Sequence, residues 1–209
     1  PDDVIGDGRL HRFSSNGKPR NKNGWYVLHL DGVAAGSFGD WSTGLEQKWC
    51  SKSADTMSES ERQAHRERIK AMQAARDADK AQRQHQAREA ATSRLNKSTH
   101  ATDDHPYLQR KGAQAHGIRA EGGNLLIPMR DTSGKLHSLQ VIDAQGEKRF
   151  LPGGRVSGCF YGMGKPDGVL IVVEGFATGA SLHESTGHAV AVAFNAGNLK
   201  AVAVDLQAK

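Results

Sequence analysis

Cysteine is nearly absent from this sequence. Cys50 and Cys159 stand far apart and form no Cys-x-x-Cys pair, so neither a zinc ribbon nor a disulfide framework can be built from them. Two free thiols in a reducing compartment are expected. Aromatic residues are few, at 6% of 209, and proline contributes six. No apolar run approaches the ~20 residues of a membrane-spanning helix. Pro1-Asp2-Asp3-Val4 has neither the basic start nor the apolar stretch of a secretory leader. A cytoplasmic protein with no membrane partner is expected. The apolar fraction is only 37% and the mean hydropathy −0.61, which suits globular parts joined by a very polar segment.

Basic charge and glycine are present in plenty. The net charge is +5, with 24 glycines and an isoelectric point near 9.3. Such a balance suits an anionic partner. Residues 1–52 read as a small antiparallel β unit: Trp25 to Leu30 and Ala34 to Trp41 flank an Asp31-Gly32 turn, and Leu45 to Cys50 adds a strand. Lys18, Arg20 and Lys22 precede Trp25 and Tyr26, a pairing that can hold single-stranded nucleic acid by phosphate contact and stacking. The competing reading makes both aromatics core, and so small a unit favours it.

The composition changes at residue 53. From Ser58 to Ser98 there is no glycine or proline, and ten Lys and Arg stand against six Asp and Glu. Ser58 with Glu61 is a capping box, so a long helix is predicted. Its large apolar residues are only Ile69, Met72 and Leu95, too few for a coiled-coil seam. A largely exposed spacer is expected across residues 53–103, ending in a polar linker. Residues 104–165 begin with a short helix from His105, capped by Asp104 and stopped by Gly112. A β meander follows over Leu125–Arg130, Leu136–Ile142 and Lys148–Leu151, with one more strand near Cys159–Tyr161.

Residues 166–209 carry the clearest signal. Val169 to Val173 is an unbroken aliphatic run, as in a central parallel strand. Phe176 to Thr186 reads as a helix stopped by Gly187, Ala189 to Phe194 as a second buried strand, and Leu199 to Ala208 as a second helix. The β-α-β-α order predicts a parallel sheet with right-handed crossovers. Glu174 falls at the carboxyl end of the first strand, the edge where open α/β sheets bind ligands. A carboxylate there can serve as a hard oxygen ligand or a general base. Gly175 permits the sharp turn, and the helix start beyond it offers N–H groups to a phosphate. Alternatively, Glu174 is an acid favoured by the helix dipole.

The run Val172-Val173-Glu174-Gly175-Phe176-Ala177-Thr178-Gly179-Ala180-Ser181-Leu182, with Ala193-Phe194-Asn195-Ala196-Gly197-Asn198-Leu199, resembles the Toprim domain of plasmid and phage primases and primase–helicases. The likeness extends to His105-Pro106-Tyr107-Leu108 and to Lys148-Arg149-Phe150-Leu151-Pro152-Gly153-Gly154. It implies an α+β architecture: the β unit, the long polar helix, and a meander leading into a partial Toprim parallel sheet. It also implies a primase that makes short primers on single-stranded DNA from nucleoside triphosphates, using Mg²⁺ or Mn²⁺. Glu174 would be the catalytic, metal-associated carboxylate. Lys148, Arg149 and Arg155, with Gly175, Thr178, Asn195 and Asn198, would bind nucleotide or template, and a replicative helicase domain or protein is a further implied partner. Toprim proteins complete their metal site with an Asp-x-Asp on the next strand. The sequence ends at Lys209 before such a pair, so the site is incomplete and the chain reads as the N-terminal part of a longer protein. Two alternatives stand: a noncatalytic nucleic-acid-binding module of a replication or mobilisation protein, and a Toprim-type nuclease.

Overall fold

The computed structural model describes residues 3–15, 17, 22–40, 43–53 and 56–208, apart from the side chains of Met72, Ala75 and Arg76. The chain forms two compact units, Pro1–Ala75 and Arg76–Lys209.

In the first unit, β1 (His11–Phe13), β2 (Gly24–His29), β3 (Ala35–Asp40) and β4 (Leu45–Cys50) form one antiparallel sheet in sequence order. Strand β1 was not anticipated. At three residues it is too short for a periodic signal. It pairs His11 with Tyr26, and the two rings stack at 5.1 Å. Tyr26 is buried, and its hydroxyl accepts the amide of Ile5, so this aromatic is core. Lys22 is exposed, whereas Lys18 and Arg20 lie outside the described residues.

Helix α1 (Glu59–Lys97) starts at the predicted capping box. The Ser58 amide donates to Glu61 Oε2 at 2.9 Å, and the Glu61 amide donates to Ser58 Oγ at 3.3 Å. Lys52 and then Ser58 hold the Glu61 carboxyl down at about 2.

The second unit is built on a five-stranded antiparallel sheet: β5 (Thr99–His100), β6 (Arg119–Glu121), β7 (Asn124–Arg130), β8 (Leu136–Ile142) and β9 (Lys148–Phe150). Part of the expected linker is thus a strand, β5, paired to β6. Between them lies α2 (Pro106–Lys111), with His105 rather than Asp104 as its N-cap: the His105 Nδ1 accepts the Tyr107 amide. Side chains alternate across β7 and β8. One set, Leu126 and Leu139, packs on Ala91 with Leu95 at its margin. The other, Leu125, Ile127, Met129 and Ile142, enters the main core with Val173, Phe176 and Phe194.

This packing corrects the spacer expectation for the second half of α1. Ala87 and Ala91 are buried, because alanine lets a helix approach a sheet closely. A search for large apolar residues passes over such a stripe.

The remaining elements are β10 (Tyr161–Met163), β11 (Leu170–Val173), α3 (Phe176–Thr186), β12 (Ala189–Val192), a 3-10 turn (Ala196–Asn198) and α4 (Leu199–Gln207). Strands β11 and β12 run parallel, and β10 pairs antiparallel to β12, in the order β10-β12-β11. Among the described residues β12 is therefore central and fully buried, while β11, expected to be central, is outermost and half-buried. Helix α3 lies close to this sheet at Gly179: a Cβ there would meet Val192 at 3.0 Å and Val173 and Val190 at 3.1 Å. Reciprocal backbone bonds between Arg130 and Phe160 (3.1 and 2.8 Å) join the two sheets.

Candidate nucleotide and nucleic-acid site

The parallel register of β11 on β12 brings the carboxyl ends of both strands level, Val173 opposite Val192, and the Ala193 amide closes the ladder on the Val173 carbonyl at 2.7 Å. The backbone then turns into α3. Gly175 is its N-cap, extended at φ −117°, with no side-chain cap. Glu174 sits at this turn and is exposed. Among the described residues, no group hydrogen-bonds or pairs with its carboxylate. Thr178 lies exposed in the first turn of α3.

The meander reaches the same edge. A Cβ placed on Gly175 would lie 3.5 Å from Lys148 Nζ, so the ammonium stands beside the residue after Glu174. Lys148 and Phe150 share one face of β9, opposite Ile142 and Gln140. Phe150 meets Phe194 edge-on, with ring centroids 6.3 Å apart and planes at 86°. Arg149, between them, points to the other face and lies 3.6 Å from Asp143.

A second group gathers at Asn198, which is 4% exposed. Its Nδ2 donates to the carbonyls of Val156, Cys159 and Ala193 at 3.1, 2.9 and 2.9 Å. Its Oδ1 accepts the Gly158 amide at 2.8 Å. Asn195 caps the 3-10 turn, its Oδ1 accepting the Asn198 amide at 3.0 Å. Arg155 donates to the Ser157 carbonyl, and a Cβ on Gly158 would lie 3.1 Å from its Nη2 and 2.7 Å from Asp205 Oδ2. The structure thus brings together Glu174, Gly175 and Lys148. Arg155 lies in the loop before β10, which Asn198 holds from the 3-10 turn that Asn195 caps.

The glycines of Pro152-Gly153-Gly154 are packing positions. Gly153 has φ +75°, and its missing Cβ would meet Arg83 at 3.2 Å; that of Gly154 would meet Ser138 Oγ at 2.2 Å. Cys159 is buried, and burial pushes its thiol up to about 11. Burial likewise raises the Tyr161 hydroxyl, to about 12. The approach of Phe150 to Phe194 was missed from sequence. The signal available was the alternation Lys-Arg-Phe, which puts Lys148 and Phe150 on one face.

The described residues do not fit a complete Mg²⁺ site. Among them no three His, Cys, Asp or Glu side chains come together to hold a metal ion, and Glu174 stands without a second carboxylate. Among them, too, no helix is long and apolar enough to cross a membrane.

Residues 169–209 match the family described as the Toprim domain. Along nearly its whole length the chain is similar to two proteins of Escherichia coli, each named DNA primase TraC. The first is 38% identical over 98% of this chain and 20% of that protein. The second is 37% identical over 100% of this chain and 15% of that protein. The chain spans about a fifth or less of the length of these relatives. No solved structure matches it.

Proposed function

We propose, on the premise that the chain belongs to the Toprim DNA primases, that it supplies the acidic and phosphate-binding edge of a site that makes primers on single-stranded DNA. One observation carries the reading: the carboxylate of Glu174, unpaired among the described residues, at the carboxyl end of β11, with the Lys148 ammonium beside the next residue. An exposed carboxylate at that edge is open to a ligand or to a transferred proton.

The reaction is a nucleotidyl transfer. The 3′-hydroxyl of the growing primer attacks the α-phosphorus of a nucleoside triphosphate, and pyrophosphate leaves. Little covalent chemistry falls to the protein, so positioning and charge dominate. Glu174 takes the hydroxyl proton. Lys148 and the free amides at the start of α3, near Thr178, hold phosphate oxygens. Gly175, lacking a side chain, leaves the approach open. Arg149 and Arg155 contact the template backbone from positions outside this centre. Asn195 and Asn198 fix the loop and turn that border it. Mg²⁺ belongs to the proposal only through Glu174 as one contributor.

In the full-length protein, Glu174→Gln should reduce priming at least 100-fold, the scale of a lost general base, and leave the melting temperature unchanged. A merely dipole-favoured Glu would instead cost about 0.3–1 kcal/mol of stability and spare activity. Near-normal priming by this variant would overturn the reading. Labelled-nucleotide incorporation on single-stranded DNA, with a thermal melt alongside, separates the two. Glu174 stands alone among the described residues, so the 209-residue chain by itself is expected to give no template-dependent incorporation.

A further inference from the structure

We infer that Phe150 is a platform on which a nucleic-acid base stacks, and that Lys148 holds the phosphate belonging to the same nucleotide unit. The inference rests on the primase reading and adds a base-binding group to it. Three observations carry it. Lys148 and Phe150 stand two residues apart on one face of β9, a separation of ~6.7 Å along a strand, which suits a phosphate and the base attached to it. Phe150 keeps 37% of its surface exposed on the outer strand of the sheet, where the cross-strand neighbours Gln140 and Ile142 are buried. Its ring is also fixed from one side: Phe194, 6% exposed, meets it at 86°.

Phe194 itself is unusual. It has φ +74°, a left-handed conformation that a bulky residue adopts only under strain. It sits just beyond β12, at the strand end beside Glu174. The Phe194 ring lies in the core, and its edge contact limits the freedom of the Phe150 ring. A fixed aromatic ring is sequence-tolerant toward bases, because every base has a π face, as template-directed synthesis requires.

The base can come from the template strand or from an incoming nucleotide, and binding measurements on the 209-residue chain distinguish them. Affinity would be measured for oligothymidylate against an abasic strand of equal length, and for thymidine triphosphate against inorganic triphosphate. In the wild type, the base-containing ligand of one pair should bind about 5- to 150-fold more tightly, the range for one stacked base. An excess in the first pair assigns the platform to the template, and an excess in the second assigns it to the nucleotide. Phe150→Leu should bring that excess close to one, while Phe150→Tyr keeps it. Lys148→Ala should weaken both members of the pair alike and lower the salt slope by about one. Phe150 is partly exposed, so the Leu variant is expected to fold; Phe150→Met serves if it does not. Retention of the full excess in Phe150→Leu would overturn the inference and leave the primase reading standing. Absence of binding to every ligand by the wild type would instead sink the primase reading and the inference with it.

Discussion

Through one amide Asn198 reaches four backbone groups: its two Nδ2 hydrogens are shared among three carbonyls, and its Oδ1 accepts one amide. Asn198→Ala would leave those groups buried and unmatched, and a loss of about 3 kcal/mol is expected in chemical denaturation, since each orphaned group costs ~1–3 kcal/mol and water will satisfy some. Asn198→Asp should be no better, because a carboxylate would face three carbonyls. Ser138 is the opposite case. It is fully buried, and among the described residues its Oγ has no hydrogen-bond partner. Ser138→Ala is expected to hold or raise the melting temperature, since it removes an unmatched polar atom from the core. Glu184 accepts the Gln114 amide at 2.9 Å and lies 2.6 Å from His116 Nε2. The backbone amide first, and His116 second, hold its carboxyl below the ordinary 4.5. A depressed carboxyl contributes stability that is fully present above that ordinary value and lost as the pH falls through the folded value. Stability should therefore decline below about pH 4.5, and Glu184→Gln should flatten that decline in acid titrations followed by circular dichroism.

Elements with a strong local signature were legible in the sequence. Strand β8, strand β4 and helix α3 run where patterning and stop residues predicted, and the Ser58–Glu61 box marks the start of α1. Three kinds of feature were not legible. Strands β1, β5 and β6 have two or three residues each, too short for any period. The alanine stripe of α1 carries no hydrophobic signal, yet buries two positions. Gly179 reads as a helix breaker costing ~1 kcal/mol, but its lack of a side chain is what lets α3 approach the valines of β11 and β12. At the candidate site, Glu174 was legible because strand, acid and glycine fall in sequence. The approach of Lys148 to Gly175 and of Phe150 to Phe194 is long-range, and only tertiary structure reveals it. Ala91→Arg tests the alanine stripe. It should destabilise the second unit, and protease should then cut near the end of α1, a region expected to resist cleavage in the wild type.

At the scale of the whole chain, a net charge of +5 implies that association with an anionic polymer falls steeply with salt. The charge alone does not select one strand or one sequence. The order β10-β12-β11 has a different consequence. Among the described residues, β11 offers one row of backbone amides and carbonyls to no neighbouring strand, and the apolar Val169 beside it is 46% exposed. An uncovered strand of this kind is a template for any extended segment, including its own copy. The 209-residue chain should therefore self-associate as its concentration rises. Val169→Lys, which sets a charge where a second copy would align, should shift sedimentation toward the monomer. Preparations intended for binding work would then be easiest to handle dilute, or with that lysine in place.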